Sequence, residues 1–140
     1  MKVFITGFTG FLGQALARDL EGAGALVAGS SSRPRADEAG RALPMLSLGD
    51  PVEPGMFEGA GAVVHCAWDL RPGSMERNVQ GTLAALAAAA EAGVARQVFV
   101  SSHSAREDAV GEYGRGKFAL EAAFLEAGHA VARPGLVAGP

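Results

Sequence analysis

The chain has 140 residues, of which 49% are hydrophobic and 19% are charged, and its formal net charge at pH 7 is −3. This composition excludes a disordered chain and predicts a single globular domain over residues 1–140. Because no basic block or stripe is present, we expect no nucleic-acid partner. The single cysteine, Cys66, excludes an intrachain disulfide and a multi-cysteine metal site, and we expect no metal.

The opening of the chain combines a short apolar strand, a glycine-rich turn and a helix. The strand is expected at Val3–Ile5, and leucines four residues apart over residues 12–20 predict the helix. Gly7, Gly10 and Gly13 follow the spacing G-x-x-G-x-x-G, which suits a tight turn, a nearby pyrophosphate and close packing of helix on strand. The pattern predicts a dinucleotide site at the helix start, where free N–H groups would face the phosphates. An ordinary glycine-rich turn is the alternative.

The remaining elements alternate between strands and helices with short connections. This alternation predicts a doubly wound parallel sheet with helices on both faces, a three-layer α/β/α arrangement. The apolar run after Lys2 is too short for a signal peptide, and no later run is long enough to span a membrane, so we expect a soluble, cytoplasmic protein. The expected strands are residues 25–28, 43–48, 62–67, 97–100 and 130–132, and the expected helical segments are one turn within 52–60, then 74–92 and 112–126.

Seven short motifs follow one another along essentially the whole chain. Together they resemble the extended short-chain dehydrogenases/reductases, the NAD(P)-dependent epimerase/dehydratase group, whose members act largely on nucleotide sugars. The resemblance implies an NAD(P)-binding Rossmann fold and hydride transfer at a hydroxyl-bearing or carbonyl carbon. The motifs are T-G-F-T-G-F-L-G at 6–13, G-D at 49–50, V-V-H-C-A at 63–67, N-V-Q-G-T at 78–82, V-F-V-S-S at 98–102, Y-G-R-G-K at 113–117 and R-P-G-L-V-A-G-P at 133–140.

Tyr113 and Lys117 form a Y-x-x-x-K pair, and a spacing of four places both side chains on one face of a helix. A lysine ammonium beside a phenol favours the phenolate form. By resemblance, Tyr113 is the general acid/base, Lys117 tunes it and contacts the nicotinamide ribose, and Ser102 hydrogen-bonds the reacting oxygen. The alternatives are a solvated surface pair and, for Ser102, a serine that caps a loop, with Ser104 as a rival for its role.

The resemblance also implies which residues contact the cofactor. Asp50 matches the aspartate that binds the adenine amino group, and Pro134 matches the residue under the nicotinamide ring. After the second strand, NAD-preferring members carry an acidic residue, whereas this chain has three serines followed by Arg33 and Arg35. Because arginine can bind a 2′-phosphate, NADP is favoured over NAD, and solvated loop charges are the alternative for both arginines. The expected cofactor-binding residues are Gly7, Phe8, Thr9, Gly10, Phe11, Leu12, Gly13, Ser31, Arg33, Asp50, Ala67, Ser101 and Pro134.

Four further residues near the predicted strand ends receive other interpretations. His65 and Cys66 are expected inside the fourth strand, and neither has a partner at metal-ligand spacing. Trp68 is expected either to lie over the cofactor and the site or to sit at the edge of the core. Arg133 is expected to stabilise the fold.

Two departures from the family pattern concern the substrate side. Only ten residues separate Ser102 from Tyr113, and the chain ends at Pro140, where members continue into a C-terminal substrate-binding lobe. We therefore expect a nearly complete cofactor half. The first interpretation is an NADP-dependent oxidoreductase or epimerase acting on a small molecule, such as a nucleotide sugar. The alternatives are a non-catalytic NAD(P)-binding sensor or partner-binding module, and a structural module; a homodimer through helices 78–92 and 113–126 is compatible with all three.

Overall fold

The computed structural model describes residues 1–135, along which strands and helices alternate. Every predicted helix and strand is present except the strand at residues 43–48. The helical turn predicted within 52–60 is a 3-10 turn at Pro54–Phe57. In chain order the other elements are β1 (Lys2–Thr6), α1 (Phe11–Gly22), β2 (Leu26–Gly29), β3 (Ala62–His65), α2 (Met75–Glu91), β4 (Arg96–Val100), α3 (Glu112–Glu126) and β5 (Ala130–Ala132).

The five strands form one parallel sheet in the order β2-β1-β3-β4-β5. Phe4 of β1 pairs with Ala28 on one side and with Val63 on the other. The chain leaves β1 towards β2 and later returns to β3, on the opposite side of β1. The direction of the connections therefore reverses between β1 and β3. In open α/β sheets, ligands bind beyond the carboxyl ends of the strands at such a reversal.

Helices pack on both faces of this sheet, so the predicted doubly wound α/β/α fold is confirmed. On one face, Ala17 of α1 packs against Val3 and Ile5 of β1. On the other face, α2 and the 3-10 turn cover Phe4, while α3 covers Phe99 of β4. Because Val3, Phe4 and Ile5 are buried on alternate faces, the middle of β1 is a continuous apolar run, which is typical of parallel sheets.

The prediction of a strand at residues 43–48 is wrong. This segment is a loop whose backbone pairs with Ser31, two residues after the end of β2. The Ser31 N–H donates to the Pro44 carbonyl, and the Leu46 N–H donates to the Ser31 carbonyl, each at 3.0 Å. Pro44 has no N–H with which to extend a ladder. The apolar residues of the segment serve the core instead, where Leu46 is buried. The strand that carries His65 is therefore the third of the chain and not the fourth.

β3 ends at His65, two residues before its predicted end at Ala67. The Thr6 hydroxyl oxygen accepts the N–H groups of Cys66 at 3.1 Å and Ala67 at 3.2 Å. One side-chain oxygen thus binds both amides, and the chain turns away from the sheet instead of continuing the ladder. Cys66 consequently follows the strand in which it was expected, and the residues after it form a loop.

The far end of the described chain is held by an ion pair between β5 and α3. Arg133 donates through Nε and Nη2 to the two carboxylate oxygens of Glu121, at 2.7 and 2.5 Å. The Glu121 carboxylate is buried, and this contact holds its pKa below the usual range. Arg133 therefore has the fold-stabilising contact expected of it. The end of the last motif, residues 136–140, lies outside the described residues.

A buried histidine lies between β3, β4 and α2. His65 Nε2 is 2.7 Å from Gln97 Oε1, and Gln97 Nε2 donates to the Leu86 carbonyl at 3.1 Å. Because the Gln97 amide group already donates, its oxygen accepts from a neutral His65 ring. The ring also meets the edge of Phe124, with centroids 5.0 Å apart. Burial lowers the pKa of His65 to about 4.

We expect this histidine to make the fold less stable below neutral pH. The pKa of His65 is about 4 in the folded chain and 6.5 when exposed, so the unfolded chain binds the proton first as the pH falls. The free energy of unfolding should then drop by about 2 kcal/mol between pH 6.5 and pH 5. Urea unfolding at several pH values measures the slope. His65→Gln should flatten it, and the exposed-site control His103→Gln should keep it. Equal slopes in all three proteins would contradict the assignment.

Candidate functional site

The turn between β1 and α1 is built from glycines that a larger residue could not replace. Gly7 has a φ of +69°, in the left-handed region that side chains disfavour. The Gly10 N–H donates back to the Gly7 carbonyl at 3.0 Å and closes the turn. Gly13, in the first turn of α1, lies so close that a Cβ on it would overlap the same Gly7 carbonyl. Helix and strand therefore meet backbone to backbone.

The start of α1 is suited to an anion. Its N-cap, Gly10, provides no side-chain hydrogen bond, and the first turn contains no acidic residue. The Gln14 N–H donates to the Gly10 carbonyl, so the N–H groups of Phe11, Leu12 and Gly13 precede the hydrogen-bonded turns. These N–H groups and the positive end of the helix dipole are directed at the carboxyl edge of the sheet, where a phosphate would be stabilised.

A cavity of about 550 Å³ opens beside this helix start, at the reversal between β1 and β3. Its wall consists of the glycine turn, residues 32–33 after β2, residues 46–48, residues 66–71 after β3, and Arg77 from α2. The volume is within the range of small-molecule and cofactor sites. The uncapped helix start, the glycine turn and Arg33 therefore fit a nicotinamide dinucleotide.

The predicted cofactor-binding residues fall into two groups. Those that line the cavity are Gly7, Thr9, Gly10, Arg33 and Ala67. Those outside its lining are Phe8, Phe11, Leu12, Gly13, Ser31, Asp50, Ser101 and Pro134.

Several residues of the second group support the cavity from behind. Phe8 lies directly against Gly29 of β2 and packs on the buried cluster beneath α1. The Ser31 hydroxyl accepts from the Thr9 hydroxyl and from the Arg33 N–H, each at 3.3 Å, which fixes two lining residues. Asp50 is exposed just after the lining residues 46–48.

The predicted pair on α3 is brought together around a buried ammonium group. Lys117 is 4% exposed, and its Nζ donates to the Val100 carbonyl at the end of β4 at 2.8 Å. Nζ also lies 4.1 Å from the ring centroid of Trp68, 4.9 Å from that of Phe99 and 5.6 Å from that of Tyr113. Burial lowers the pKa of Lys117 to about 8. Tyr113 is 39% exposed, so its side chain reaches the solvent.

Trp68 connects this pair to the larger cavity. Its ring meets Tyr113 edge-on with centroids 5.8 Å apart, and it also packs on Phe99. A second cavity of about 60 Å³ lies between the loop after β3 and the start of α3, with Tyr113 in its wall. Residues 68–71 line both cavities. Trp68 thus combines both of its predicted placements, at the edge of the core and beside the site.

The predicted serine is held in the loop after β4. Ser102 follows β4 at the carboxyl edge of the sheet, as predicted, but it lines neither cavity. Its hydroxyl accepts the Ser104 N–H at 3.1 Å, which is the loop-capping contact considered as its alternative. Ser104 itself is exposed, and Ser101 is buried with its N–H donating to the Ala132 carbonyl at 2.7 Å.

Sequence reasoning missed a charged cluster in the wall of the larger cavity. Asp69 accepts three hydrogen bonds from the side chain of Arg71, and Arg77 adds a fourth at 3.3 Å. Hydrogen bonds from Arg71 hold the pKa of Asp69 well below its usual range. The signal available in the sequence was the charged pair Asp69 and Arg71 directly after a buried strand, where ligand-binding residues concentrate.

Across residues 1–135, no three His, Cys, Asp or Glu side chains lie together so that they could hold a metal ion. The helices of the same part of the chain are all too short or too polar to cross a membrane.

Comparison with known proteins gives one family match. The model of the NAD dependent epimerase/dehydratase family matches residues 3–123, most of the chain. No curated protein matches the chain.

Solved structures share this fold. A short-chain dehydrogenase/reductase superfamily protein from Agrobacterium tumefaciens with bound NAD is 26% identical, with a TM-score of 0.71 over 95% of this chain and 48% of that one. MoeE5 in complex with UDP-glucose and NAD is 25% identical, with a TM-score of 0.73 over 94% and 52%. A UDP-glucose 4-epimerase, 22% identical, shows the likeness of fold alone, with a TM-score of 0.78 over 100% and 53%. The chain spans about half the length of each.

Proposed function

Because the chain belongs to the NAD dependent epimerase/dehydratase family, we propose that it binds NADP and takes part in hydride transfer at a hydroxyl-bearing or carbonyl carbon. The observation that carries this proposal is the wall shared by the two cavities. Trp68 contacts Tyr113 and Lys117 on one side and lines the larger cavity on the other. A proton donor and a bound nicotinamide would therefore lie at neighbouring positions.

The choice of NADP rests on the loop after β2. Arg33 lines the larger cavity. Its backbone N–H donates to the Ser31 hydroxyl, and this bond holds the loop in place. Residues 30–32 are serines, so the loop places no carboxylate against a 2′-phosphate. A guanidinium forms charge-assisted bonds with phosphate oxygens, and these bonds favour the cofactor that carries the extra phosphate.

The proton chemistry is assigned to Tyr113. Its phenol is half-exposed beside the smaller cavity, where a substrate oxygen can reach it. When bound, the nicotinamide supplies or accepts the hydride. Tyr113 holds or moves the matching proton at its phenolic oxygen, and the Lys117 ammonium nearby stabilises the phenolate. Ser102, at the carboxyl edge of the sheet, is proposed to hydrogen-bond the reacting oxygen after releasing the Ser104 N–H.

The substrate class, the assembly and the location complete the proposal. A nucleotide sugar is favoured because MoeE5, at 25% identity, is described in complex with UDP-glucose and NAD. A homodimer through α2 and α3 is favoured because α3 leaves Phe118 39% exposed and Leu125 59% exposed. A nicotinamide cofactor and a single free cysteine suit the cytoplasm.

Replacing Arg33 should separate the two cofactors. Calorimetric titration of the unaltered chain should show tighter binding of NADPH than of NADH. In Arg33→Met the affinity for NADPH should fall by about tenfold, because a charge-assisted contact with the 2′-phosphate is lost. NADH binding should not change. The matched control is Arg35→Met, in the same loop but outside the cavity lining. Preferential binding of NADH by the unaltered chain would overturn the choice of NADP.

Replacing Tyr113 with Phe should remove turnover and spare cofactor binding. Turnover of UDP-sugars and small ketones would be followed by the absorbance of the reduced nicotinamide and by analysis of the products. Loss of the proton donor should lower kcat by about 100-fold to 10,000-fold, whereas the Kd of NADPH should stay the same. Glu107→Gln, on an exposed residue of the neighbouring loop, serves as the control. Cofactor binding without turnover of any substrate would favour the sensor interpretation instead.

Sedimentation velocity should show the chain as a dimer. Phe118→Asp would place a charge in the proposed apolar interface, and the dissociation constant of the dimer should rise by about 30-fold or more. Met45→Asp changes another exposed apolar residue, in the loop after β2 and outside both helices, and should leave the dimer intact. A monomer at all concentrations would contradict the proposed interface.

A further inference from the structure

Two arginines in the lining of the larger cavity share a single carboxylate. Arg71 donates through Nε and Nη2 to both oxygens of Asp69, at 2.7 to 3.1 Å. Arg77 Nη1 lies 3.3 Å from one of the same oxygens. One negative charge thus meets two positive charges, and the cluster carries a net positive charge into the cavity wall.

The cluster is held in place by its surroundings. The Asn78 side chain binds the backbone of Asp69 on both sides, accepting its N–H and donating to its carbonyl, each at 2.8 Å. The stem of Arg77 lies flat over Gly49, where a Cβ would come within 2.7 Å of Arg77 Cγ. Gly49 also has a φ of +99°, so a side chain there would be disfavoured twice. The direction of Arg77 is therefore set by the fold.

Of the two arginines, Arg77 is the one free to bind a ligand. Arg71 donates its Nε and Nη2 groups to the Asp69 carboxylate through three contacts. Within residues 1–135, the guanidinium of Arg77 makes its one long contact with Asp69 and no other hydrogen bond. The side chain is 44% exposed and lines the cavity. Its remaining N–H groups can donate to phosphate oxygens without the loss of a better bond.

The position of the cluster in the sheet indicates which phosphate it meets. Asp69 follows β3, and β3 is the direct neighbour of β1, with His65 opposite Thr6. The glycine turn begins at Gly7, the first residue after β1. Arg33, in contrast, follows β2, on the other side of β1. Asp69 and Arg77 line the larger cavity together with Gly7 and Gly10, so the Arg77 guanidinium and the glycine turn border the same space.

We propose that Arg77 is a ligand of the cofactor pyrophosphate, which it would bind together with the N–H groups at the start of α1. Asp69 and Arg71 hold this guanidinium in the cavity wall. The inference rests on the proposed function, since it needs a dinucleotide in the larger cavity. It assigns the arginines of this chain to different phosphates: Arg77 to the pyrophosphate that NAD and NADP share, and Arg33 to the 2′-phosphate that only NADP carries.

The test compares cofactor affinities in matched variants of the full chain. NADPH, NADH and ADP would be titrated by calorimetry into the unaltered chain, Arg77→Met, Arg33→Met and Arg96→Met. Methionine keeps the apolar stem over Gly49 and removes the charge. Arg96 lies at the amino end of β4, and the cavity lies at the carboxyl ends of the strands. Its variant therefore controls for the loss of one positive charge. Thermal unfolding of each variant confirms that it is folded.

Arg77→Met should weaken NADPH, NADH and ADP by a common factor of about ten, while Arg96→Met should leave all three unchanged. An effect on NADPH alone would overturn the proposal, because it would place Arg77 at the 2′-phosphate. Unchanged binding of all three ligands would also overturn it and leave Arg77 as a partner of Asp69. If the unaltered chain binds neither NADPH nor NADH, the proposed function itself fails, and the pyrophosphate assignment fails with it. Should Arg77→Met not fold, Arg77→Gln, which also removes the charge, gives the same comparison.

Discussion

The backbone contact between Gly13 and the Gly7 carbonyl determines where the rest of the site can form. It brings the first turn of α1 onto the end of β1, so that the N–H groups of that turn lie at the carboxyl edge of the sheet. The strand order then places β2 on one side of this turn and β3 on the other. The loops after all three strands therefore surround one helix start. A side chain at position 13 would push the helix outward, and the phosphate-binding N–H groups would leave the cavity.

The second constraint is the buried charge of Lys117. Removing an ammonium group from water is costly, and here the partner is a neutral carbonyl, that of Val100. The ring faces of Trp68 and Phe99 supply the remaining stabilisation, about 1 to 2 kcal/mol for a desolvated cation over an aromatic ring. A pKa of about 8 leaves roughly nine in ten molecules charged at pH 7. The aromatic residues thus keep the charge beside Tyr113 while water is excluded.

The sequence was sufficient for most of the fold because its signals are local. Glycine spacing, leucine periodicity and β-branched runs each depend on neighbouring residues. They predicted α1, α3 and a doubly wound parallel sheet correctly. The prediction of a strand at residues 43–48 was wrong because a buried apolar loop and a paired strand can have the same run of apolar residues, here around Leu46. Only the missing N–H of Pro44 separates them. The same limit applies to the site. Tyr113 and Lys117 share one helix turn, whereas the contact of Arg77 with Gly49 joins distant segments that no spacing reveals.

The loop after β3 gives the two cavities a common wall, and this arrangement follows from the position of β3 in the sheet. Its neighbours are β1, which leads into the glycine turn, and β4, whose end carries the Lys117 partner Val100. A loop that leaves β3 at the carboxyl edge must therefore pass between the phosphate side and the Tyr113 side. The proposed reaction, hydride transfer at a carbon and proton transfer at its attached oxygen, would require the nicotinamide and the phenol to act within a few ångströms of each other. Trp68, in contact with Tyr113 and at the cavity wall, lies where these two requirements meet.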